Sequence, residues 1–358
     1  MRDKKTKISF IGAGRVFDHY YYIMRKFNIL NRIHIHSICD RDKKKLAKYK
    51  NKIDTNYFEN LNDLINFNSK PDIVFILTPS GNHYSHAKKC LLAGINVVVE
   101  KPITMLISQA ERLKKISKMK KKYLGVVFQN RYNKAMLKTK ELLKKRTLGK
   151  ITTFSVRLMW CRYQNYYNDA WHGRWKYDGG VLNQQAIHHV DAINWLLGPV
   201  KEVINTCTNA LNKLEAEDTA ISLIKMKSGL TGTFQATTAI RPKDMMAEIS
   251  IYGQKGNIII GGIALNKLLQ VEIFDRNGKK KYFNKKKYSN EVKNGYGYGH
   301  KYILENIIKR PNNNMKNISV SAEDGVNNVI LAHALYKSNE EKKWIAPNKK
   351  NFSKKLGL

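Results

Sequence analysis

Residues 8–17, ISFIGAGRVF, decide the fold of the first half of this chain. An apolar run that ends in Gly12-Ala13-Gly14 is typical of a buried strand followed by a tight turn into a helix. The two glycines let the backbone approach a pyrophosphate, and the helix N-terminus supplies N–H groups and a positive dipole. Asp40 follows the second apolar run, where an acidic side chain can accept hydrogen bonds from adenosine ribose hydroxyls. The stretch therefore predicts a dinucleotide site.

The strand–turn–helix pattern repeats to residue 128. Strands are predicted at residues 8–11, 33–39, 73–77, 97–99 and 124–127, with a short one near Tyr57 and helices between them. Near-continuous apolar strands joined by helical crossovers indicate a parallel sheet that is covered on both faces. We therefore predict a Rossmann-like, doubly wound α/β domain that binds NAD(P) over residues 1–128.

After Tyr132 the pattern changes to strands at meander spacing, separated by turn signals such as Gly253-Gln254-Lys255-Gly256. Strands are predicted at residues 151–160, 203–210, 219–226, 231–238 and 248–252, and helices to about Lys145 and at 184–196, 302–308 and 323–339. This pattern favours an α+β domain with an open-faced, mostly antiparallel sheet over residues 129–345. The lysine-rich residues 346–358 are predicted to be a basic tail.

Length and composition limit the classes of protein to consider. The 358 residues are too many for one ordinary core and fit two domains. No apolar run approaches the roughly 18 residues of a membrane span, and the N-terminus lacks the apolar region of a signal peptide. Cys39, Cys90, Cys161 and Cys207 have no short spacing, which predicts free thiols and no metal site. We expect a cytoplasmic protein with no membrane partner.

The net charge of +37 raises the alternative of nucleic-acid binding, because a basic surface attracts polyanions. Lysine far outnumbers arginine and is spread along the whole chain, and no recognition-helix motif is present. We therefore expect no nucleic-acid partner. A positive field would equally favour anionic cofactors and substrates.

The cofactor end contains three further signals. Asp40 would repel a 2′-phosphate and favours NAD, while the adjacent Arg41 keeps NADP as an alternative. Phe17 stands where the glycine fingerprint usually has Gly or Ala, so its ring should separate helix from strand or point beside the cofactor. Residues 78–83, TPSGNH, end a strand at the sheet edge where ligands bind. His83 could line the site or be a helix-terminal residue satisfied by backbone, and both interpretations stay open.

Two segments of the sequence predict the residues that take part in the reaction. Lys101 follows the apolar residues 95–99 at the same sheet edge, where a lysine can hydrogen-bond a substrate oxygen. In residues 178–191, Gln184, His188 and Asp191 share one face of a predicted helix. A histidine, with an ordinary pKa of about 6.5, can take the proton of an alcohol as hydride leaves its carbon.

Aromatic and arginine side chains follow at residues 160–175, where they could hold a base, sugar or anionic group, or could form a core or subunit contact.

The predicted catalytic residues are Lys101, His188 and Gln184. The predicted cofactor-binding residues are Gly12, Gly14, Arg15, Val16, Asp40, Arg41, Thr78, Pro79, His83, Glu100, Lys101 and Gln129. The predicted substrate-binding residues are Arg162, Trp171, Arg174, Gln185, Asp191 and Tyr298.

The glycine loop, the Thr78-Pro79 edge, Glu100-Lys101-Pro102 and the Gly-Gly to His-x-x-Asp helix occur in this order, and with them the chain resembles the Gfo/Idh/MocA oxidoreductases. The resemblance implies hydride transfer between NAD(P) and a sugar or cyclitol carbinol. It further implies a C-terminal sheet used in oligomer contacts, hence a homodimer or homotetramer. The family roles fall on Lys101 as the active-site lysine and on His188 as proton acceptor or donor.

Gln184 departs from the family pattern, because many members place an aspartate four residues before the histidine. An amide there resembles the branch of nucleotide-sugar 3-dehydrogenases that oxidise UDP-N-acetylglucosaminuronate in surface-polysaccharide synthesis. The resemblance therefore implies a nucleotide-linked amino sugar or uronate as substrate. A free sugar or inositol dehydrogenase and a non-catalytic dinucleotide sensor are the alternatives, and a methyltransferase explains neither Lys101-Pro102 nor His188.

Overall fold

The computed structural model describes residues 5–275, 277–309 and 321–358. The chain forms two compact units, each made of two segments. Unit 1 comprises Met1–Phe128 and His300–Val329, and unit 2 comprises Gln129–Gly299 and Ile330–Leu358.

The strands are β1 Thr6–Ile11, β2 Ile33–Cys39, β3 Asn56–Phe58, β4 Ile73–Ile76, β5 Asn96–Val99, β6 Leu124–Val126, β7 Ile151–Met159, β8 Val200–Thr208, β9 Thr219–Met226, β10 Thr231–Thr237, β11 Met246–Gly253, β12 Gly256–Gly261 and β13 Lys267–Ile273. The helices are α1 Arg15–Lys26, α2 Lys43–Lys50, α3 Leu61–Asn66, α4 His83–Leu92, α5 Ile107–Met119, α6 Lys134–Lys144, α7 Ile187–Leu197, α8 Gly299–Ile308 and α9 Ala322–Glu341.

Unit 1 contains a six-stranded sheet in the order β3-β2-β1-β4-β5-β6. All of its strand pairs are parallel. The central strands are buried along their length, which explains their near-continuous apolar sequences. The predicted doubly wound fold is confirmed, and its carboxyl edge carries the ends of β1, β2, β4 and β5.

Unit 2 contains a seven-stranded sheet in the order β13-β12-β11-β7-β10-β9-β8. The pair β7–β10 is parallel and the remaining pairs are antiparallel, as the predicted mostly antiparallel class requires. The sequence prediction missed β12 and β13. Their signal was the turn at residues 253–256, which joins β11 to β12 as a hairpin and was interpreted only as a separator.

The predicted basic tail is not a free segment. Leu356 is fully buried, and a Cβ atom added at Gly179 would lie 2.9 Å from its Cδ1 atom. The Ser353 N–H donates to His333 Nδ1 on α9 at 3.1 Å. Lys354 and Lys355 remain exposed, so residues 346–358 dock through their few apolar and hydroxyl side chains while the lysines stay in water.

Two expectations from composition can be compared with the structure. All four cysteines are free thiols. Among the residues described, no helix combines the length and apolarity needed to cross a membrane.

The ring of Phe17 points into the core of unit 1. It is fully buried, with its ring centre 5.1 Å from that of Phe10 on β1 and 4.8 Å from that of Tyr49 on α2. Of the two expectations for this bulky residue, the one that places it between helix and strand is correct. The ring therefore anchors the helix whose N-terminus faces the predicted pyrophosphate.

Replacing Phe17 by alanine should lower the free energy of unfolding by about 3–5 kcal/mol, because a large cavity opens in a packed aromatic cluster. Urea unfolding followed by fluorescence measures the change. Tyr22, on the same helix but 37% exposed, provides the control, and Tyr22→Ala should stay within about 0.5 kcal/mol of the parent. Equal losses in both variants would contradict the assigned packing of Phe17.

Candidate active site

The turn between β1 and α1 can be built only with glycine at its first position. Gly12 has a φ of +102°, and a Cβ atom there would lie 2.9 Å from the carbonyl carbon and oxygen of Leu77. Its N–H donates to the carbonyl of Cys39 at 2.8 Å. Gly12 thus joins the ends of three neighbouring strands.

Gly14 is different, because a Cβ atom there would meet nothing within 4 Å. It is the N-cap of α1, and among the described residues no side chain caps this helix. The helix N-terminus, with Arg15 exposed and Val16 half-buried in its first turn, therefore opens onto empty space. An uncapped helix N-terminus of this kind fits a pyrophosphate.

Asp40 is held by the backbone of the same turn. Its Oδ2 atom accepts the Ala13 N–H at 2.8 Å and its Oδ1 atom accepts the Asp42 N–H at 2.9 Å. A carboxylate oxygen can accept more than one hydrogen bond, so this half-buried group can still accept from ribose hydroxyls. Its neighbour Arg41 is exposed.

The ring of His83 is held by backbone carbonyls on both sides, and its contact with the cofactor stays a prediction. The ring is 1% exposed, with Nδ1 2.7 Å from the Pro102 carbonyl oxygen and Nε2 2.8 Å from that of Thr78. Two carbonyl acceptors favour the protonated ring, but burial is the larger effect and lowers the pKa of His83. The ring thus ties the end of β4 to the Lys101-Pro102 turn, as the backbone-satisfied interpretation required.

Glu100 is likewise engaged within unit 1. Its Oε1 atom accepts the Tyr20 hydroxyl at 3.2 Å and lies 3.4 Å from His300 Nε2, while Oε2 accepts the Lys101 N–H at 3.3 Å. Burial, with the Glu100 charge as a second cause, raises the pKa of Tyr20 well above its ordinary value. Glu100, which stays a predicted cofactor residue, is 7% exposed, and its carboxylate holds the backbone that carries Lys101. Lys101 itself is half-buried at the carboxyl edge.

In unit 2, His188 lies in the first turn of α7 and contacts Gln129. The amide nitrogen of Gln129 lies 3.2 Å from His188 Nε2, so the amide donates and the imidazole nitrogen accepts. Gln129, which is predicted to bind cofactor, is 3% exposed and is also a partner of the predicted proton acceptor. An accepting Nε2 is the form of histidine that a base requires.

Asp191 forms a buried ion pair with Arg131. Arg131 binds it in a bidentate pair, with Nε–Oδ2 at 2.7 Å and Nη2–Oδ1 at 2.5 Å, and both side chains are buried. The pair fastens α7 to residues 129–132, which also carry Gln129. Asp191 therefore holds the helix in place, and its contact with substrate stays a prediction. Sequence reasoning missed Arg131, although its signal was a polar QNRY run directly after a buried strand.

The sequence predicts that Gln184, His188 and Asp191 share one helix face, but only His188 and Asp191 lie on the helix. The helix α7 begins at Ile187, so Gln184 lies in the preceding turn, where its N–H donates to the Gly180 carbonyl at 3.0 Å. The turn replaces helix because Gly179, with φ at +70°, starts an irregular loop. Gln184 is half-buried, and Gln185 is 6% exposed.

Four other predicted substrate residues are at least partly exposed, namely Arg162, Trp171, Arg174 and Tyr298. Arg162 is engaged by Asp244, with Nη1–Oδ1 at 2.9 Å. The Trp171 ring stacks on His172 with ring centres 3.6 Å apart. These two side chains are already ordered within unit 2, and Arg174 and Tyr298 lie at its accessible surface.

Comparison with known families matches both halves of the chain. Residues 6–128 match the NAD-binding Rossmann fold of an oxidoreductase family, and residues 140–346 match the C-terminal alpha/beta domain of the same family.

Two solved structures resemble the chain over its length. One is the WlbA dehydrogenase from Chromobacterium violaceum in complex with NADH and UDP-GlcNAcA, 28% identical, with a TM-score of 0.86 and 97% of each chain covered. The other is the WlbA dehydrogenase from Bordetella pertussis in complex with the same two molecules, 26% identical, with a TM-score of 0.86 and 97% and 98% covered.

Among curated relatives, the myo-inositol 2-dehydrogenase of Thermotoga maritima is 23% identical over 347 residues, which are 94% of this chain and 97% of the relative. The alignments with three other curated relatives cover 64%, 44% and 36% of those proteins' own lengths. The chain therefore spans less than two-thirds of each of these three relatives. The family models, by contrast, account for most of the chain. With its NAD-binding Rossmann domain and its C-terminal alpha/beta domain, the chain belongs to the Gfo/Idh/MocA oxidoreductase family.

Proposed function

We propose that this protein is an NAD-dependent dehydrogenase that oxidises a secondary alcohol of a nucleotide-linked sugar. The sugar is an amino sugar or a uronate. The observation that carries the proposal is the likeness, over 97% of the chain, to two dehydrogenases bound to NADH and UDP-GlcNAcA. Gln184, an amide where many family members have an acid, supports the same substrate class.

The residues of unit 1 fit a dinucleotide. The space beside Gly14 and the uncapped start of α1 suit the pyrophosphate, and Asp40 suits the adenosine ribose. A carboxylate at that position disfavours the 2′-phosphate of NADP. When bound, the nicotinamide supplies the hydride acceptor or donor.

Lys101 and His188 divide the proton handling in this proposal. Lys101 donates a hydrogen bond to the substrate oxygen and stabilises the negative charge that develops there. His188 takes the hydroxyl proton at Nε2, whose single lone pair exchanges the Gln129 amide N–H for the substrate hydroxyl. His83 and Glu100 hold the backbone on either side of Lys101 and touch no reacting atom.

A dehydrogenase of free sugars or inositols is the second candidate, favoured by the likeness to myo-inositol 2-dehydrogenase. A dinucleotide sensor without chemistry is the third. It is disfavoured because a sensor needs neither Lys101 nor His188.

Incubation with NAD and a substrate panel separates these candidates. We expect NADH absorbance to rise with UDP-linked amino sugars or uronates and to rise at least about tenfold more slowly with free sugars and inositols, because nucleotide contacts contribute binding energy. Faster NADH formation with free sugars or inositols would favour the second candidate. Absence of NADH formation with every substrate, despite NADH binding, would favour the sensor.

Lys101→Met should lower kcat by about 10²- to 10⁴-fold, because the substrate oxygen loses its charged donor in the step where charge develops. NADH affinity, measured by fluorescence titration, should remain nearly unchanged. Lys118→Met on the exposed end of α5 is the matched control and should retain full activity. An unchanged kcat in Lys101→Met would overturn the role of this lysine.

The two glycines of the turn should respond differently to alanine. Gly14→Ala should fold normally but bind NADH at least about tenfold more weakly, a loss of about 1.4 kcal/mol, because the methyl group enters the open space at the helix start. Gly12→Ala should instead lower the free energy of unfolding by about 1–3 kcal/mol, because of its positive φ and the contact with Leu77. NADH titration and urea unfolding of both variants measure these effects. Normal NADH affinity in Gly14→Ala would place the pyrophosphate elsewhere.

A further inference from the structure

The loop that leads into α7 is held by three consecutive backbone N–H groups. The Gly180 N–H donates to the Tyr336 hydroxyl at 3.1 Å, and the Val181 N–H donates to the Glu217 carbonyl at 2.9 Å. The Leu182 N–H donates to Glu217 Oε1 at 3.0 Å. Glu217 and Tyr336 therefore fix the path of the chain immediately before Gln184 and His188.

The same two side chains bind each other in the interior of unit 2. The Tyr336 hydroxyl donates to Glu217 Oε1 at 2.9 Å, so this oxygen accepts two hydrogen bonds. Glu217 is 3% exposed and Tyr336 is 1% exposed. The loop packs directly against the carboxyl group, because a Cβ atom added at Gly180 would overlap it.

The second carboxyl oxygen of Glu217 has no such support. Within the described residues, Oε2 is buried and has no hydrogen-bond partner. A buried oxygen that carries negative charge without a donor is costly, whereas a protonated Oε2 carries no charge. The geometry thus favours the neutral acid, with the carbonyl oxygen Oε1 accepting both bonds.

Three titratable groups face Glu217, of which the Asp218 charge favours the neutral acid and the Tyr336 hydrogen bond opposes it. They are Tyr336 on α9, Cys207 on β8 and Asp218, the next residue in the chain, and each is an acid. Burial, aided by the nearby Asp218 carboxylate, raises the pKa of Glu217 to about 7. None of these three neighbours can supply a compensating positive charge.

We propose that Glu217 and Tyr336 are positioning residues: as a neutral acid and a phenol, they clamp the Gly180–Leu182 loop and thereby set the positions of Gln184 and His188. The clamp acts through the loop and touches no reacting atom. Its effect on catalysis rests on the proposed function, whereas its effect on stability does not.

The sign of the pH dependence follows from the raised pKa. The unfolded chain ionises Glu217 near its ordinary pKa of 4.5, while the folded chain holds the proton until about pH 7. The clamp therefore contributes full stability below the unfolded pKa and loses it as the pH rises through the folded pKa. Glu217→Gln, an isostere of the neutral acid, should not show this loss.

Thermal unfolding of the full chain with and without Glu217→Gln tests the neutral acid directly. The difference in unfolding midpoint, variant minus parent, should increase as the pH rises from about 4.5 to 7. Above that range it should stay constant. Glu291→Gln, which removes an exposed glutamate, should give a difference that does not change over this range. A pH-independent difference for Glu217→Gln would overturn the neutral-acid assignment.

Steady-state kinetics with the substrate that the NAD panel identifies test the clamp. Glu217→Asp shortens the side chain by one methylene, and Tyr336→Phe removes the phenol hydroxyl. Both should lower kcat roughly ten- to a hundredfold, since a shift of about 1 Å at a reacting group has effects of this size. Fluorescence titration should show their NADH affinity within about twofold of the parent.

Glu217→Gln should restore what Glu217→Asp loses. Its kcat should equal that of the parent at pH 6 and exceed it at pH 8, where the parent carboxyl ionises. Parent kcat in folded Glu217→Asp and Tyr336→Phe would overturn the positioning role. A chain without dehydrogenase activity would refute the proposed function, while the unfolding experiment would still decide the protonation state.

Discussion

The close approach of Gly12 to the backbone at Leu77 is the constraint on which the carboxyl edge of unit 1 depends. Without a side chain, Gly12 can pass against the end of β4 while its N–H binds the end of β2. This contact brings the start of α1, Asp40 and the Thr78 segment to one edge. His83 extends the same edge to Lys101-Pro102 through its two backbone contacts.

Unit 2 depends on buried polar groups in a comparable way. The Arg131–Asp191 pair fastens α7 from one side, and Glu217 with Tyr336 fixes the loop before it. Burying charged groups is expensive, and the cost is offset only when their hydrogen bonds are well formed. The bidentate geometry meets this condition for the ion pair, whereas protonation of Glu217 removes the charge itself. Such pairs contribute less to net stability than apolar packing would, but they specify where the helix begins.

Local patterns in the sequence predicted most of the fold because strands and turns leave periodic signals. The limits of β2 and β9 were predicted to the residue, and the glycine turn was recognised from its neighbours. The site was harder, because its contacts join residues far apart in the chain. Arg131 and Asp191 are 60 residues apart, and Glu217 and Tyr336 are 119 apart. No local pattern encodes such pairs, so the sequence predicts a substrate contact for Asp191 but neither its pairing with Arg131 nor a role for Glu217.

The proposed role of His188 depends on the groups that hold its helix and the loop before it. The nearest acid on its helix face is Asp191, whose two oxygens are already bound by Arg131. The amide nitrogen of Gln129 lies 3.2 Å from Nε2. In the proposed reaction, the position of His188 is set by the Arg131–Asp191 pair on its helix and by the loop before it.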